Sequence, residues 1–289
     1  MSRIAYVNGA YVAQRDASVN VEDRGYQFAD GVYEVVHLYG GRMVDAGLHM
    51  DRLERSLREV RIAMPMTRPA LLHVMAEVAR RNRVTEGLLY MQVTRGVARR
   101  EHVFPRQGVP PAIVVTARRT PPFPRDLDSW ATSAITHPDE RWARCDIKSV
   151  GLLANVLAKQ AAREQGAAEA ILIDRDGMVT EGGSTSVWIV DTEGALRTRP
   201  LGHSILPGCT RASLRTLMEG EGIAMHEAPF SEAELRAARE VFLTSATSFV
   251  RPITALDGAP VGDGRVGPVA GRLFGMFSRH VMGNLSNAA

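Results

Sequence analysis

The stretch Arg144-Cys-Asp-Ile-Lys-Ser-Val-Gly-Leu-Leu-Ala-Asn155 holds one of only two lysines in a chain whose lysine and arginine total is 35. All the others are arginine, so positive charge is carried by guanidinium groups, and a lysine marks either a place where an amine is wanted or a plain solvated residue. A guanidinium stays protonated, whereas an amine that is desolvated or flanked by charge can lose its proton and condense with a carbonyl. Context separates the two lysines. Cys145-Asp-Ile147 is short and extended in character, and Ser149 and Gly151 suit the entry to a helix. Lys148 is therefore expected at a strand-to-helix corner, a position from which side chains enter clefts. The following helix carries Leu153, Val156, Leu157 and Ala161 as its expected apolar stripe, with Gly166 as a stop. Lys159 falls off that stripe and is expected in solvent.

A chain of 289 residues with 45% hydrophobic and 23% charged content can bury one large core or two smaller ones, and two domains are expected. The net charge of +3 does not indicate a nucleic-acid partner, because basic and acidic residues are interleaved and no aromatic run accompanies them. Cys145 and Cys209 stand far apart, and the eight histidines show no ligand spacing. Neither a disulfide framework nor a metal site is expected. No apolar run approaches bilayer length, and Asn8-Gly9 interrupts the start of the chain before a signal segment could form. The expectation is a soluble, cytoplasmic protein without a membrane partner.

Ile4-Ala-Tyr-Val7, Asn8-Gly9 and Ala10-Tyr-Val12 read as a hairpin, since Asn-Gly supplies the positive dihedrals of a two-residue turn. Phe28 to Tyr39 reads as one long strand, with Tyr33, Val35 and His37 on one face and Glu34 and Val36 on the other. Helices are predicted from Leu48 to Leu57 and from a capping Thr67 to Asn82. Strands follow at Leu88–Thr94 and Ala112–Thr116, around a charged loop from Arg95 to Gln107 with Arg100-Glu-His102 at its middle. Thr120-Pro-Pro-Phe-Pro124 continues neither a helix nor a central strand, and the domain boundary is placed there. Beyond it, strands are expected at Ala170–Ile173, Val187–Val190 and Val241–Thr244. Helices are expected from Leu206-Pro-Gly-Cys-Thr-Arg211 to about Glu221, from the capping box Ser231-Glu-Ala-Glu234, and from about Val269 to Met282.

A carbonyl-condensing lysine commonly serves pyridoxal phosphate, which needs a lysine, an acid at its pyridine nitrogen and a phosphate cradle. Glu181, in Thr180-Glu-Gly-Gly-Ser184, is a candidate for the acid, although on spacing alone a turn glutamate after Asp176-Gly177 is the more common outcome. Pro207-Gly-Cys-Thr210 ahead of a helix is a candidate cradle that includes Cys209 and Thr210, because free N–H groups and the helix dipole favour an anion there. Arg52 is a candidate cation for the same phosphate. Arg100 and His102 are candidates for a substrate carboxylate, by a bidentate pair and a single donated bond.

Taken together, these stretches resemble the fold-type IV pyridoxal-phosphate enzymes, most closely the D-amino acid aminotransferases. The resemblance runs through Asp30-Gly-Val-Tyr-Glu-Val-Val36, His49-Met-Asp-Arg-Leu53, Gln92-Val-Thr-Arg-Gly96, Arg144–Ser149, Val179-Thr-Glu-Gly182 and Leu206–Arg211. It implies a mixed α+β fold, with a smaller N-terminal α/β domain over residues 1–120 and a larger β-barrel-like domain with helices over 121–289. It implies Lys148 as the Schiff-base lysine, Glu181 at the pyridine nitrogen, and Arg52 and Thr210 at the phosphate. Tyr33, Arg100 and His102 would gather the carboxylate, with the loop pair supplied by the partner subunit of a homodimer. Val35 and His37 would share the substrate side, with His37 standing where the closest relatives carry a lysine. Ala246 occupies the position of a hydroxyl residue that helps hold the phosphate in the family, which leaves Ser245 or Thr247 to replace it. The implied reaction is transamination between a D-amino acid such as D-alanine and a 2-oxo acid such as 2-oxoglutarate. A branched-chain L-aminotransferase, an (R)-amine transaminase, an aminodeoxychorismate lyase, and a pyridoxal-phosphate-binding protein without turnover remain as alternatives.

Overall fold

The computed structural model describes residues 3–106, 108–122, 124 and 126–283. Gln107, the expected end of the charged loop, and Phe123, within the expected boundary, lie outside the described residues. The chain divides into two compact units. One runs as far as Pro122 and adds Ile147–Gly151, and the other holds the remainder.

The first unit contains β1 (Ile4–Val7), β2 (Ala10–Ala13), α1 (Arg24–Phe28), β3 (Gly31–Tyr39), β4 (Arg42–Met43), α2 (Ala46–Glu59), α3 (Arg68–Asn82), β5 (Gly87–Thr94) and β6 (Ala112–Arg119). Its sheet is antiparallel, in the order β2-β1-β6-β5-β3-β4. Asn8 and Gly9 take φ of 45° and 101°, as a primed hairpin turn requires. Val32, Val36 and Leu38 of β3 are buried in one core with Leu53 of α2 and Leu71 and Met75 of α3. Each such side chain stabilises the fold by about 1.5–3 kcal/mol through burial. The period of two thus sets the opposite face of β3, with Tyr33 and Val35, apart from the core. Two expectations fail in detail. Phe28 ends the short helix α1, which Asp23 caps by accepting from the Gly25 N–H, so β3 begins only at Gly31. Thr67 is the N-cap of α3 but its side chain makes no capping bond; Pro69 in the first turn sets the start instead.

The second unit contains β7 (Thr132–Pro138), α4 (Leu153–Glu164), β8 (Glu169–Ile173), β9 (Val179–Gly182), β10 (Ser186–Val190), β11 (Leu196–Thr198), α5 (Cys209–Gly220), β12 (His226–Glu227), α6 (Glu232–Ala237), β13 (Glu240–Ser245), β14 (Phe249–Leu256), β15 (Ala259–Pro260) and α7 (Pro268–Gly283). Eight of its strands run β12-β11-β10-β13-β14-β7-β8-β9, with β15 on β14, in a mixed sheet that brings β9 back towards β10. Strand β14 escapes a sequence reading because it carries Pro252, which lacks a ladder donor. Pairing with β7 begins only at the next residue, Ile253, and a bulge follows before Ala255. The capping box of α6 is present in both of its bonds.

Helix α4 corrects two expectations. Leu153, Val156 and Leu157 are 73%, 58% and 55% exposed, and the buried residues are Ala158 and Ala162. The small side chains let the helix lie close on Ile135, Ala170 and Leu172, which turns the bulky ones outward. Lys159 is not simply solvated: its Nζ lies 3.0 Å from Glu169 Oε1 and donates to the Ala168 carbonyl at 2.9 Å.

Candidate active site

In the first unit, the segment around Lys148 is held against the start of β3. The Tyr33 N–H donates to the Lys148 carbonyl at 3.0 Å, the Val150 N–H donates to the Gly31 carbonyl at 3.1 Å, and Val32 and Ser149 form an antiparallel bridge. The Lys148 N–H reaches Ser56 Oγ of α2 at 3.3 Å, and Ile147 is anchored in the core. These bonds fix the backbone and leave the side chain on the Tyr33 face. Lys148 Nζ stands 4.3 Å from the Tyr33 ring centroid, and the amine has no ion pair or hydrogen bond among the described residues. Tyr33 stacks on Tyr90 at 5.8 Å, and the Tyr90 hydroxyl donates to Gln92 at 2.7 Å. Burial, together with the neighbouring Tyr33, pushes the Tyr90 hydroxyl up to about 12. Val35 lies opposite Tyr90 and His37 opposite Leu88. His37 is buried, and burial pushes its imidazole down to about 4, so it is neutral at physiological pH.

On the core side of β3, Glu34 is completely buried and accepts from Arg52 Nε and Nη2, both at 2.8 Å, while His49 Nδ1 donates at 2.7 Å. Burial alone would raise its carboxyl, but the Arg52 charge and these bonds dominate and hold it down at about 2. Arg52 is thus set by a bidentate pair that fixes its plane. Arg100 and His102 gather around Phe28 of α1, at 5.0 Å and 5.4 Å from its ring centroid. No hydrogen bond or ring contact joins either of them to Tyr33 among the described residues.

In the second unit, Glu181 lies on β9 and is buried. One oxygen accepts the Leu206 N–H at 3.0 Å and the other accepts from Arg141 Nη1. Arg141 also binds Asp139 at 2.7 Å and the Ser204 carbonyl at 3.1 Å, so Glu181 faces a guanidinium that is itself fixed. Burial would lower the Arg141 guanidinium, but the bond to Asp139 and the charge of Glu181 raise it. Behind Glu181, Glu169 gathers Lys159, Ser184 and Thr185 and braces the turn at Gly182-Gly183. Cys209 and Thr210 are buried in the first turn of α5, which has no side-chain cap from Gly208. A Cβ at Gly208 would come within 2.9 Å of Ser186 Oγ, so glycine allows this helix start to rest on β10. Ser186 lies opposite Thr244, the residue before Ser245. Ser245 Oγ accepts the N–H groups of Thr247 and Ser248 at 3.3 Å and 3.1 Å and lies 2.7 Å from Ser248 Oγ. Ser245 therefore organises this turn, Thr247 is exposed on it, and Ala246 adds no hydroxyl. Residues such as Tyr90, Arg141, Ser186 and Glu169 were missed by sequence reasoning. Tyr90 was within reach through strand alternation, whereas Arg141 is one arginine among many. Among the described residues no group of three or more metal-ligating side chains gathers, and no helix is long and apolar enough to cross a membrane.

Comparison with known proteins places this geometry. The family model for amino-transferase class IV matches residues 31–256. The D-alanine aminotransferase of Staphylococcus haemolyticus is 39% identical over 276 residues, covering 96% of this chain and 97% of the relative. That of Listeria innocua serovar 6a is 41% identical over 281 residues, covering 96% and 95%. Among solved structures, the branched-chain amino acid aminotransferase from Escherichia coli superposes with a TM-score of 0.85 at 26% identity, covering 96% of this chain and 94% of that one. With the family model spanning residues 31–256 and relatives 39% and 41% identical over nearly the whole chain, on the mixed α+β fold that the resemblance implied, this chain belongs to the class IV aminotransferases.

Proposed function

We propose that the protein catalyses pyridoxal-phosphate-dependent transamination between a D-amino acid such as D-alanine and a 2-oxo acid such as 2-oxoglutarate. The observation that carries this is Lys148, whose amine is presented on Tyr33 without an ion pair among the described residues. The donor set fits the cofactor. An amine suits an aldehyde, the buried carboxylate of Glu181 suits a protonated ring nitrogen, and the uncapped first turn of α5 suits a phosphate. When bound, this cofactor supplies an aldehyde that condenses with amines and a ring that accepts developing negative charge. In this reading Lys148 holds and returns the proton of the substrate α-carbon. Glu181, oriented by Arg141, keeps a proton on the ring nitrogen. Thr210 and Cys209 in the helix turn, Arg52, and Ser245 or Thr247 hold the phosphate. Tyr33, Arg100 and His102 bind the substrate carboxylate, while Val35 and His37 border its side chain.

The D-alanine aminotransferases that align over nearly the whole chain support the D-amino acid as substrate. A homodimer in which the loop pair serves the partner's site belongs to the same proposal, as does a cytoplasmic setting, where cysteines without a disulfide, such as Cys145 and Cys209, persist. Borohydride reduction of the holoenzyme followed by peptide mapping tests the reading. The pyridoxyl group is expected on Lys148 and absent from Lys148→Ala; its recovery on Lys159 would overturn the assignment.

A further inference from the structure

Asp30 lies just before β3 and joins two arginines. Arg24 Nε donates to its Oδ2 at 2.8 Å, and Arg95 donates to both oxygens at 2.7 Å and 3.0 Å. Both guanidinium groups are buried, at 3% and 8% exposure. Burial would raise the Asp30 carboxyl, but the bonds and charges of Arg95 and Arg24 outweigh it and hold it below the usual range. Each arginine then reaches the charged loop. Arg24 Nη1 donates to the carbonyl of Glu101, the residue between Arg100 and His102, at 2.6 Å. Arg95 lies 3.7 Å from the ring centroid of Phe104 and also donates to the carbonyls of Val60 at 2.7 Å and Arg61 at 2.9 Å. Phe28 is shared, with Arg24 4.8 Å from its ring centroid and Arg100 and His102 against the same ring. The base of the loop is tied by the Arg24 N–H to the Gly96 carbonyl at 3.0 Å and by the bridge of Asp23 with Val97.

We infer that the Arg24–Asp30–Arg95 triad is a positioning device that holds Arg100 and His102 ready for the substrate carboxylate and so sets affinity for both the amino acid and the 2-oxo acid. The inference rests on the roles given above to Arg100 and His102. A loop fixed at Glu101 and Phe104, on either side of His102, needs little further ordering when a carboxylate arrives. A loop released at Glu101 must be ordered at the expense of binding. Among the described residues the triad makes no bond to Lys148, so its loss is expected to act on ground-state affinity and to spare the proton transfer.

Arg24→Met leaves Asp30 paired with Arg95 and removes the donor to Glu101. In the holoenzyme it should raise KM for D-alanine and for 2-oxoglutarate about tenfold while kcat falls less than about threefold. Amide exchange across residues 98–103 should quicken about tenfold, with the amides of β5 unchanged. Phe28→Leu, which keeps the ion triad, should move KM in the same direction and decides the matter if Arg24→Met does not fold. Unchanged exchange across 98–103 in Arg24→Met, a fall in kcat at constant KM, or an unchanged KM in Phe28→Leu would overturn the positioning role. Absence of D-alanine turnover by the unmodified enzyme would instead overturn the functional reading, and the exchange measurement would still decide the role of Arg24.

Discussion

Replacing Glu34 by Gln removes a single charge from the centre of the first unit. The carboxylate is fully buried, accepts two bonds from Arg52 and one from His49, and sits at about 2 in place of the ordinary 4.5. A depression of that size corresponds to about 3 kcal/mol of stability, and removing one partner of a buried ion pair costs about 3–5 kcal/mol. Glutamine keeps one acceptor for Arg52, so Glu34→Gln is expected to lose about 3 kcal/mol at pH 7. The sign with pH follows from the depressed value. The contribution of Glu34 is fully present above the unfolded value near 4.5 and is lost as pH falls towards 2. Urea denaturation of both proteins at steps from pH 7 to pH 3 reads the difference directly. The gap should be constant above about pH 5 and narrow progressively below it. A gap that stays constant down to pH 3, or one smaller than about 1 kcal/mol at pH 7, would refute the assignment of Glu34 as the charged centre that orients Arg52.

Other perturbations follow from particular contacts. Gly208→Ala puts a Cβ against Ser186 Oγ, and a misfit of about 1–3 kcal/mol at the start of α5 should weaken cofactor retention, measured by dialysis and absorbance, without unfolding the sheet. His37 is depressed by burial from 6.5 to about 4, so its neutral form favours the fold above pH 6.5, and that stability, about 3 kcal/mol, is lost as pH falls to 4. His37→Gln should lack this slope, and an identical slope in both proteins would show that His37 does not titrate across that range. Mixing inactive Lys148→Ala with weakly active Arg100→Ala subunits should raise activity above that of Arg100→Ala alone, through hybrid dimers with one intact site. No increase, with subunit exchange confirmed by mass, would count against shared sites.

Much of the fold could be read from the sequence because local signals and tertiary demands coincide there. The Asn8-Gly9 turn, the alternation along β3 and the Ser231 capping box each have a backbone reason that short range alone supplies. Strand β14 was lost because Pro252 contradicts a central strand, and only the late start of pairing with β7 makes it tolerable. The α4 stripe was misassigned because periodicity identifies an apolar face without saying what covers it. In the site, Lys148 stood out through scarcity, since an arginine-rich chain makes a lysine conspicuous. The same abundance hid Arg141 and Arg95, whose roles come from long-range pairing with Glu181 and Asp30, and Arg24, whose bond to the distant Glu101 carbonyl no spacing discloses. Lys159 shows the limit of scarcity, since the second lysine serves as the partner of Glu169.

Stereochemical preference is the most direct test of the proposed activity. In the proposed reading Lys148 would approach the α-carbon from one face, so the position of the carboxylate would decide which enantiomer turns its α-hydrogen towards the amine. On the proposed roles, in which Arg100, His102 and Tyr33 hold that carboxylate, the D-enantiomer is expected to react. Arg100→Ala should lower kcat/KM for D-alanine by about one to two powers of ten, the loss of a charged hydrogen bond of about 1.5–3 kcal/mol, with the cofactor spectrum intact. The deciding measurement is the initial rate of the unmodified holoenzyme with 2-oxoglutarate and either D-alanine or L-leucine. Faster turnover of D-alanine is expected; faster turnover of L-leucine would contradict the account and make the branched-chain reaction the better reading.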